Sequence, residues 1–131
     1  MANRGAVLAA RRRLGFGASG KPEHFLVLQA DLFADLETVI VAPLVDHGPE
    51  HAGDHLAVPV SKSEAGASRR QVVLVHHLTS ALPSRFDAGE AGFALPATMA
   101  AVDRAVRLLM GLLALDLAGC PGASETIFAP A

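Results

Sequence analysis

The chain has 131 residues, a length suited to one domain with one hydrophobic core, and 51% of its residues are hydrophobic. It has no Trp or Tyr, so the core is expected to be aliphatic. A net charge of −2 argues against a strongly basic nucleic-acid-binding protein, and the single Cys120 excludes an intrachain disulfide. No apolar run approaches the about 20 residues of a membrane helix, and we expect a cytoplasmic protein.

The charge is unevenly distributed along the chain. Five basic residues precede Glu23 with no acidic residue among them, and these are Arg4, Arg11, Arg12, Arg13 and Lys21. Residues 23–54 contain acidic residues but no Lys or Arg. The basic residues from 11 onward lie in a Gly-rich stretch, 11–22, which is typical of a mobile loop that meets ligands. This pattern predicts either a patch that holds phosphates or a solvated N-terminal face.

Short apolar runs rich in Val, Leu and Ile predict five strands, at residues 6–10, 25–28, 38–44, 56–60 and 71–75, with one more short strand near Phe86. The link between the second and third strands has room for one helical turn. Pro59 favours an edge position for the fourth strand. Gly, Pro and polar residues predict loops at 46–54 and 61–70.

One helix is predicted after the strands. Pro96 suits a first helical turn, and apolar residues then recur at spacings of three and four, at Met99, Val102, Val106, Leu109 and Leu113. We expect the helix to end near Leu115. Residues 117–131 are rich in Ala, Gly and Pro, so a domain spanning 1–116 and a flexible tail are predicted.

Strands gathered before one helix indicate a mainly β protein of the α+β class, with a largely antiparallel sheet or small barrel against which the helix packs.

Residues 25–45 also resemble a known family. The stretch QADLF followed by TVIVAPL is similar to the centre of the MazF/PemK toxins, the ribonucleases of bacterial type II toxin–antitoxin pairs. The similarity continues through Arg4-Gly5-Ala6-Val7, Val58-Pro59-Val60, residues 68–75 and residues 98–105, and spans roughly residues 4–113. It implies the small antiparallel, SH3-like barrel of the MazF/CcdB fold, with a C-terminal helix.

The resemblance also implies a function and partners. MazF-type toxins inhibit growth by cleaving single-stranded RNA through attack of a ribose 2′-hydroxyl on the adjacent phosphate. Members form homodimers and are held by a cognate antitoxin. The CcdB branch shares the fold but poisons DNA gyrase without cutting RNA, so a CcdB-like gyrase poison, or an inactive relic bound by an antitoxin, is the alternative.

The family places a catalytic Arg just before the first central strand and a Thr at the end of the second. Aligned on the resemblance, these places hold Glu23 and Val45. Glu repels a developing phosphorane charge, and Val has no hydroxyl to donate a hydrogen bond. The neighbouring His24, Asp46 and His47 are therefore the candidate catalytic residues, because histidines titrate near neutral pH and serve as acid or base.

RNA binding would fall to the basic residues Arg11, Arg12, Arg13 and Lys21, which supply the cation the chemistry needs. The alternative for His24 and His47 is that they are ordinary surface residues. His47, His51 and His55 recur every four residues and on a helix could bind zinc, but the intervening Gly and Pro argue against that helix. We predict neither a metal nor a cofactor.

Overall fold

The computed structural model describes residues 3–11 and 23–113, which form seven strands and two α-helices. The strands are β1 (Ala6–Ala9), β2 (His24–Val27), β3 (Val39–Asp46), β4 (Ala57–Val60), β5 (Gln71–Leu74), β6 (Thr79–Ala81) and β7 (Gly92–Phe93). The helices are α1 (Lys62–Ala65) and α2 (Pro96–Leu109). The five predicted strands are all present, and a single turn of 3-10 helix, Asp31–Phe33, fills the predicted link between β2 and β3.

Every strand pairing among the described residues is antiparallel, in the order β4-β5-β3-β2-β1-β7. The eight-residue β3 organises this sheet. Its first residues, Val39–Val41, pair with β6, and its last, Leu44–Asp46, pair with β5. One long strand shared between two partners bends the sheet into an antiparallel half-barrel with a C-terminal helix, which confirms the predicted fold class.

The two faces of the sheet carry separate apolar clusters, because successive side chains in a strand point to opposite faces. On the face that packs α2, here called the helix face, Leu26 and Leu44 pack with Val73 and Val102. The opposite face carries a second cluster, which includes Phe25, Val27, Val41 and Phe86. Both faces are therefore buried in part, and the core is aliphatic apart from two Phe rings.

The position of Pro59 matches its prediction. Among the strands of residues 3–11 and 23–113, β4 pairs only with β5, with Pro59 opposite Val72, so this strand lies at the edge of the sheet. Pro has no N–H to donate, and an edge strand has one side without a ladder partner.

The predicted loop at 61–70 is wrong in its first half, because residues Lys62–Ala65 form α1. The Ser61 hydroxyl accepts the Glu64 N–H at 3.3 Å, and the Glu64 carboxylate accepts the Ser61 N–H at 3.2 Å. This reciprocal capping box satisfies donors at the start of a very short helix. The spacing Ser-x-x-Glu was the sequence signal for it.

The predicted end of the last helix near Leu115 is also wrong, because α2 ends at Leu109. Gly111 has φ +75°, its N–H bonds the Leu108 carbonyl at 3.2 Å, and the Leu112 N–H bonds the Arg107 carbonyl at 2.8 Å. These two bonds form a Schellman motif, in which Gly supplies the left-handed residue that stops a helix.

Phe86 was predicted to lie in a strand, but it makes only an isolated bridge to Ala10 after a 3-10 turn, Pro83–Arg85. The short β6 and β7 carry no strong apolar run and were not predicted. The predicted domain boundary at residue 116 and the tail 117–131 lie outside the described residues. Within the described part of the chain, no helix is long and apolar enough to span a membrane.

Candidate functional site

One end of the sheet gathers polar residues from four strands. β1 ends there and β2 begins there, with Ala9 opposite His24, and β3 ends beside the first residue of β5. The polar group at this end, here called the rim, consists of Arg11, His24, Asp46, His47 and Arg69. The antiparallel order is the reason that these residues, distant in sequence, lie at the same edge.

Asp46 contacts two neighbouring side chains at the rim. Its Oδ1 accepts a hydrogen bond from the Gln71 side-chain amide at 2.6 Å, and Gln71 lies directly opposite it in β5. Its Oδ2 lies 3.5 Å from a guanidinium nitrogen of Arg69. Both charged side chains are more than half exposed, so this ion pair adds little stability. Its consequence is positional, because it holds a cation beside the carboxylate at the strand end.

His47 follows Asp46 and begins the loop between β3 and β4. Its N–H donates to the Arg70 carbonyl at 2.9 Å. Its ring meets that of His51 edge to face, with centroids 6.4 Å apart, and His51 Nε2 lies 3.3 Å from a Glu50 carboxylate oxygen. The backbone bond fixes where His47 leaves the sheet, while its own side chain stays exposed.

His24 is half-buried at the start of β2, opposite Leu44 of β3. Leu44 belongs to the helix-face cluster, and Asp46, two residues further along β3, points to the same face. His24 and Asp46 are thus diagonal neighbours across the strand pair, a position that typically separates residues by about 7–8 Å. The structure therefore brings these two predicted residues to one face.

Glu23 and Val45, where the resemblance expects the family's Arg and Thr, lie on the other face. Phe25 is opposite Pro43 and His24 is opposite Leu44, so the same register puts Glu23 opposite Val45. Both belong to the face that carries Phe25. Residues that are adjacent in the sequence therefore lie on opposite faces of the sheet. Glu23 and Val45 share one face, and their neighbours His24 and Asp46 share the other.

Among the predicted RNA-binding residues, Arg11 is described, and Arg12, Arg13 and Lys21 lie outside the described residues. Arg11 Nε donates to the Phe86 carbonyl at 3.0 Å, and its backbone N–H donates to the Arg85 carbonyl at 3.0 Å. These bonds direct Arg11 toward the segment that follows β6.

Sequence reasoning missed Arg69 as a site residue. Its signal was the Arg pair at 69–70, placed immediately before a strand whose first residue meets the end of β3. Only the pairing of β3 with β5 reveals that this pair reaches the rim.

In the described part of the chain, no three His, Cys, Asp or Glu side chains converge closely enough to hold a metal ion.

A protein-family model matches this chain over nearly all the described residues. The model of the PemK-like, MazF-like toxins of type II toxin–antitoxin systems matches residues 3–110. The chain belongs to this family. The toxin-family prediction made from the sequence is thereby confirmed. No protein of curated function matches the chain at a significant level.

Solved structures similar to this PemK/MazF-family chain share its fold at low sequence identity. An endoribonuclease in complex with its cognate antitoxin, from a mycobacterial species, is 18% identical, with a TM-score of 0.66 over 86% of this chain and 97% of that one. The Mycobacterium tuberculosis toxin MazF-mt6 is 19% identical, with a TM-score of 0.64 over 81% and 96%. A MazE–MazF structure from Deinococcus radiodurans is 19% identical, with a TM-score of 0.60 over 84% and 96%.

Proposed function

We propose that this PemK/MazF-family protein is a growth-inhibiting endoribonuclease that cleaves single-stranded RNA at an altered active site on the rim. The observation that carries the proposal is the grouping of two histidines with an ion-paired arginine at one sheet end, in a chain matched by the toxin family over residues 3–110. Endoribonuclease activity is typical of this family, and the rim supplies the residue types that the reaction needs.

The reaction forms a bond between the ribose O2′ and the adjacent phosphorus and breaks the bond from phosphorus to O5′. One histidine of the pair His24 and His47 takes the proton of the 2′-hydroxyl, and the other returns a proton to the leaving O5′. Asp46 holds Arg69 at the same end of the sheet, and the Arg69 guanidinium stabilises the negative charge that develops on the phosphate. Arg11 and the basic residues that follow it would bind the neighbouring phosphates.

The test is cleavage of mixed-sequence single-stranded RNA by the purified protein, with a metal chelator present. His24→Gln and His47→Gln are each expected to slow cleavage about 100-fold or more, the usual contribution of a general acid or base. His76→Gln is the matched control, because His76 is exposed beyond the far end of β5. RNA left intact by concentrated wild-type protein would reject the proposal.

A second candidate function is a non-catalytic toxin fold, acting as a CcdB-like gyrase poison or persisting as an inactive relic bound by an antitoxin. The observation in its favour is that Glu23 and Val45 replace the family's Arg and Thr together, on one face. Isolation of the protein's partners from its native host distinguishes the two candidates. The second candidate would be favoured if gyrase or an antitoxin is recovered with the protein and the purified protein leaves RNA intact.

We also propose a cognate antitoxin and a second copy of the chain as partners, with residues 1–116 as the folded domain and the cytoplasm as the location. The similar structures include an endoribonuclease in complex with its cognate antitoxin and a MazE–MazF structure, which support an antitoxin partner. Exposed apolar side chains support a protein partner, and they include Leu32, Phe33, Leu36, Met110 and Leu112, each more than half exposed.

A further inference from the structure

The face opposite the helix holds a cavity that the rim chemistry does not use. Its volume is about 420 Å³, within the range of small-molecule sites. The buried rings of Phe25 and Phe86, which meet edge to face with centroids 5.6 Å apart, form its apolar floor. Thr38 and Thr79 line its walls, and Arg85 stands at its mouth, so it is called here the Arg85 cavity.

Among the described residues, the polar side chains that line this cavity carry hydroxyl or guanidinium groups. No Asp or Glu of the described ranges lines it, and the exposed Arg85 side chain forms no ion pair with the described residues. The neighbouring cavity, of about 350 Å³ on the other side of Phe86, differs because two carboxylates, Asp87 and Glu90, line it beside a single cation, Arg11, so its lining is net negative and would repel a phosphate. Of these two cavities, charge complementarity therefore favours the Arg85 cavity for an anionic ligand with an apolar ring.

The cavity also lies close to the positions of the family's catalytic pair. Phe25 is two residues from Glu23 on the same face of β2, a distance of about 7 Å along a strand. An RNA strand that crosses this edge of the sheet would pass from His24 and Asp46 on the helix face to the opposite face, which carries the cavity. A nucleotide whose base leaves the stack could then enter the cavity, in the manner of sequence-specific recognition of single-stranded RNA.

We propose that the Arg85 cavity binds one unstacked nucleotide of single-stranded RNA. The base lies over the Phe25–Phe86 floor, with its edge toward the threonine hydroxyls, and the phosphate is bound by Arg85. The inference rests on the proposed function for the class of its ligand, but it concerns binding and needs no cleavage. It makes Arg85 and Thr79 determinants of specificity, separate from the residues of the rim.

The experiment measures binding without cleavage. Short fluorescein-labelled RNA with 2′-O-methyl riboses cannot undergo attack by the 2′-oxygen, and its binding is followed by fluorescence anisotropy at several salt concentrations. Arg85→Gln should weaken binding about tenfold and reduce the salt slope, log K against log salt, by about 0.7, the value for one phosphate on a single strand. Arg107→Gln, which removes an exposed charge on α2, should change neither quantity.

A second variant tests the cavity itself. Thr79 is exposed on β6 opposite Val41, so Thr79→Phe should fill the cavity without disturbing the core, and it should abolish the preference among oligonucleotides of different base sequence. A thermal melt checks that the variant folds. Wild-type affinity and preference in both folded variants would overturn the inference, as would loss of antitoxin binding alone, which would assign the cavity to the protein partner.

The two proposals fail in different ways. If the protein never cuts RNA but binds it in a manner that depends on Arg85, the nuclease proposal is rejected and the cavity proposal is supported. If cleavage depends on His24 and His47 but RNA binding is unchanged by substitution of Arg85 and Thr79, the cavity proposal is rejected and the nuclease proposal is supported.

Discussion

Glu64 shows how a buried carboxylate can stabilise this fold. Burial by itself raises the pKa of Glu64, but hydrogen bonds from the Leu95 N–H, Thr98 and Ser61 outweigh it and leave that pKa below its ordinary value of 4.5. The Leu95 bond, at 2.8 Å, joins α1 to the start of α2. Ionised Glu64 is therefore a link between two elements that are far apart in sequence.

This link makes stability depend on pH. A carboxylate whose pKa is lower in the folded state stabilises the fold at neutral pH, and this contribution is lost as pH falls below about 4.5 through the folded pKa. Urea unfolding from neutral to acid pH should show the loss, and Glu64→Gln should flatten it. Glu90→Gln, at an exposed position, should retain it. Equal acid sensitivity in wild type and Glu64→Gln would contradict the assignment.

Arg4 is a second residue whose role is structural. Its guanidinium donates to the Leu28 carbonyl and to the Asp103 carboxylate, and its backbone N–H donates to Asp31 at 2.6 Å. Arg4→Met should cost about 1 kcal/mol of unfolding free energy, because these groups are only partly screened by solvent. Arg107→Met, at an exposed site, should cost nothing measurable by the same urea titration. Equal stability of the two variants would show that the Arg4 hydrogen bonds do not stabilise the fold.

At the scale of elements, α1 and β7 approach each other without room for a side chain. A Cβ on Gly66 would lie 2.0 Å from the Ala91 carbonyl oxygen, and Gly66 has φ +62°. Gly53 has a similar φ of +74° but open space around it. The two residues therefore share the backbone requirement for glycine and differ in the contact alone.

This pair gives a matched test. Gly53→Ala should cost about 1–2 kcal/mol for the left-handed backbone, while Gly66→Ala should cost a further 1–3 kcal/mol or so because backbone must move. Chemical denaturation of both variants measures the difference. Equal costs would mean that α1 moves freely away from β7.

At the scale of the whole molecule, two exposed apolar surfaces are candidates for contact with a protein partner. One is the turn after β2 with Leu32, 84% exposed, and the other is the end of α2 with Met110 and Leu112. Surfaces of this kind mark interaction sites in soluble proteins.

We predict that sedimentation measures twice the mass of one chain. Leu32→Asp or Met110→Asp should shift the protein toward monomer, because a buried unpaired charge opposes association. The variant that does so identifies the interface, and Leu82→Asp serves as a control at another exposed apolar position. A wild-type monomer at every concentration would reject the homodimer.

The sequence by itself determined the five main strands, the long helix and the family. Short β-branched runs marked the main strands, an apolar stripe marked α2, and the QADLF and VAPL segments indicated the toxin family. Capping signals were present as well, since Ser61 marks the start of α1 and Gly111 marks the end of α2. These features are local, so a single sequence contains them.

Only the tertiary structure decided which residues share a face and which edge of the sheet they reach. Glu23 and His24 are neighbours in the chain, yet the two-residue period of a strand turns them to opposite faces. Arg69 reaches Asp46 because β5 pairs with the end of β3, a contact that depends on register. Strand pairing joins segments far apart in sequence, and its register is set by the packing of the whole sheet.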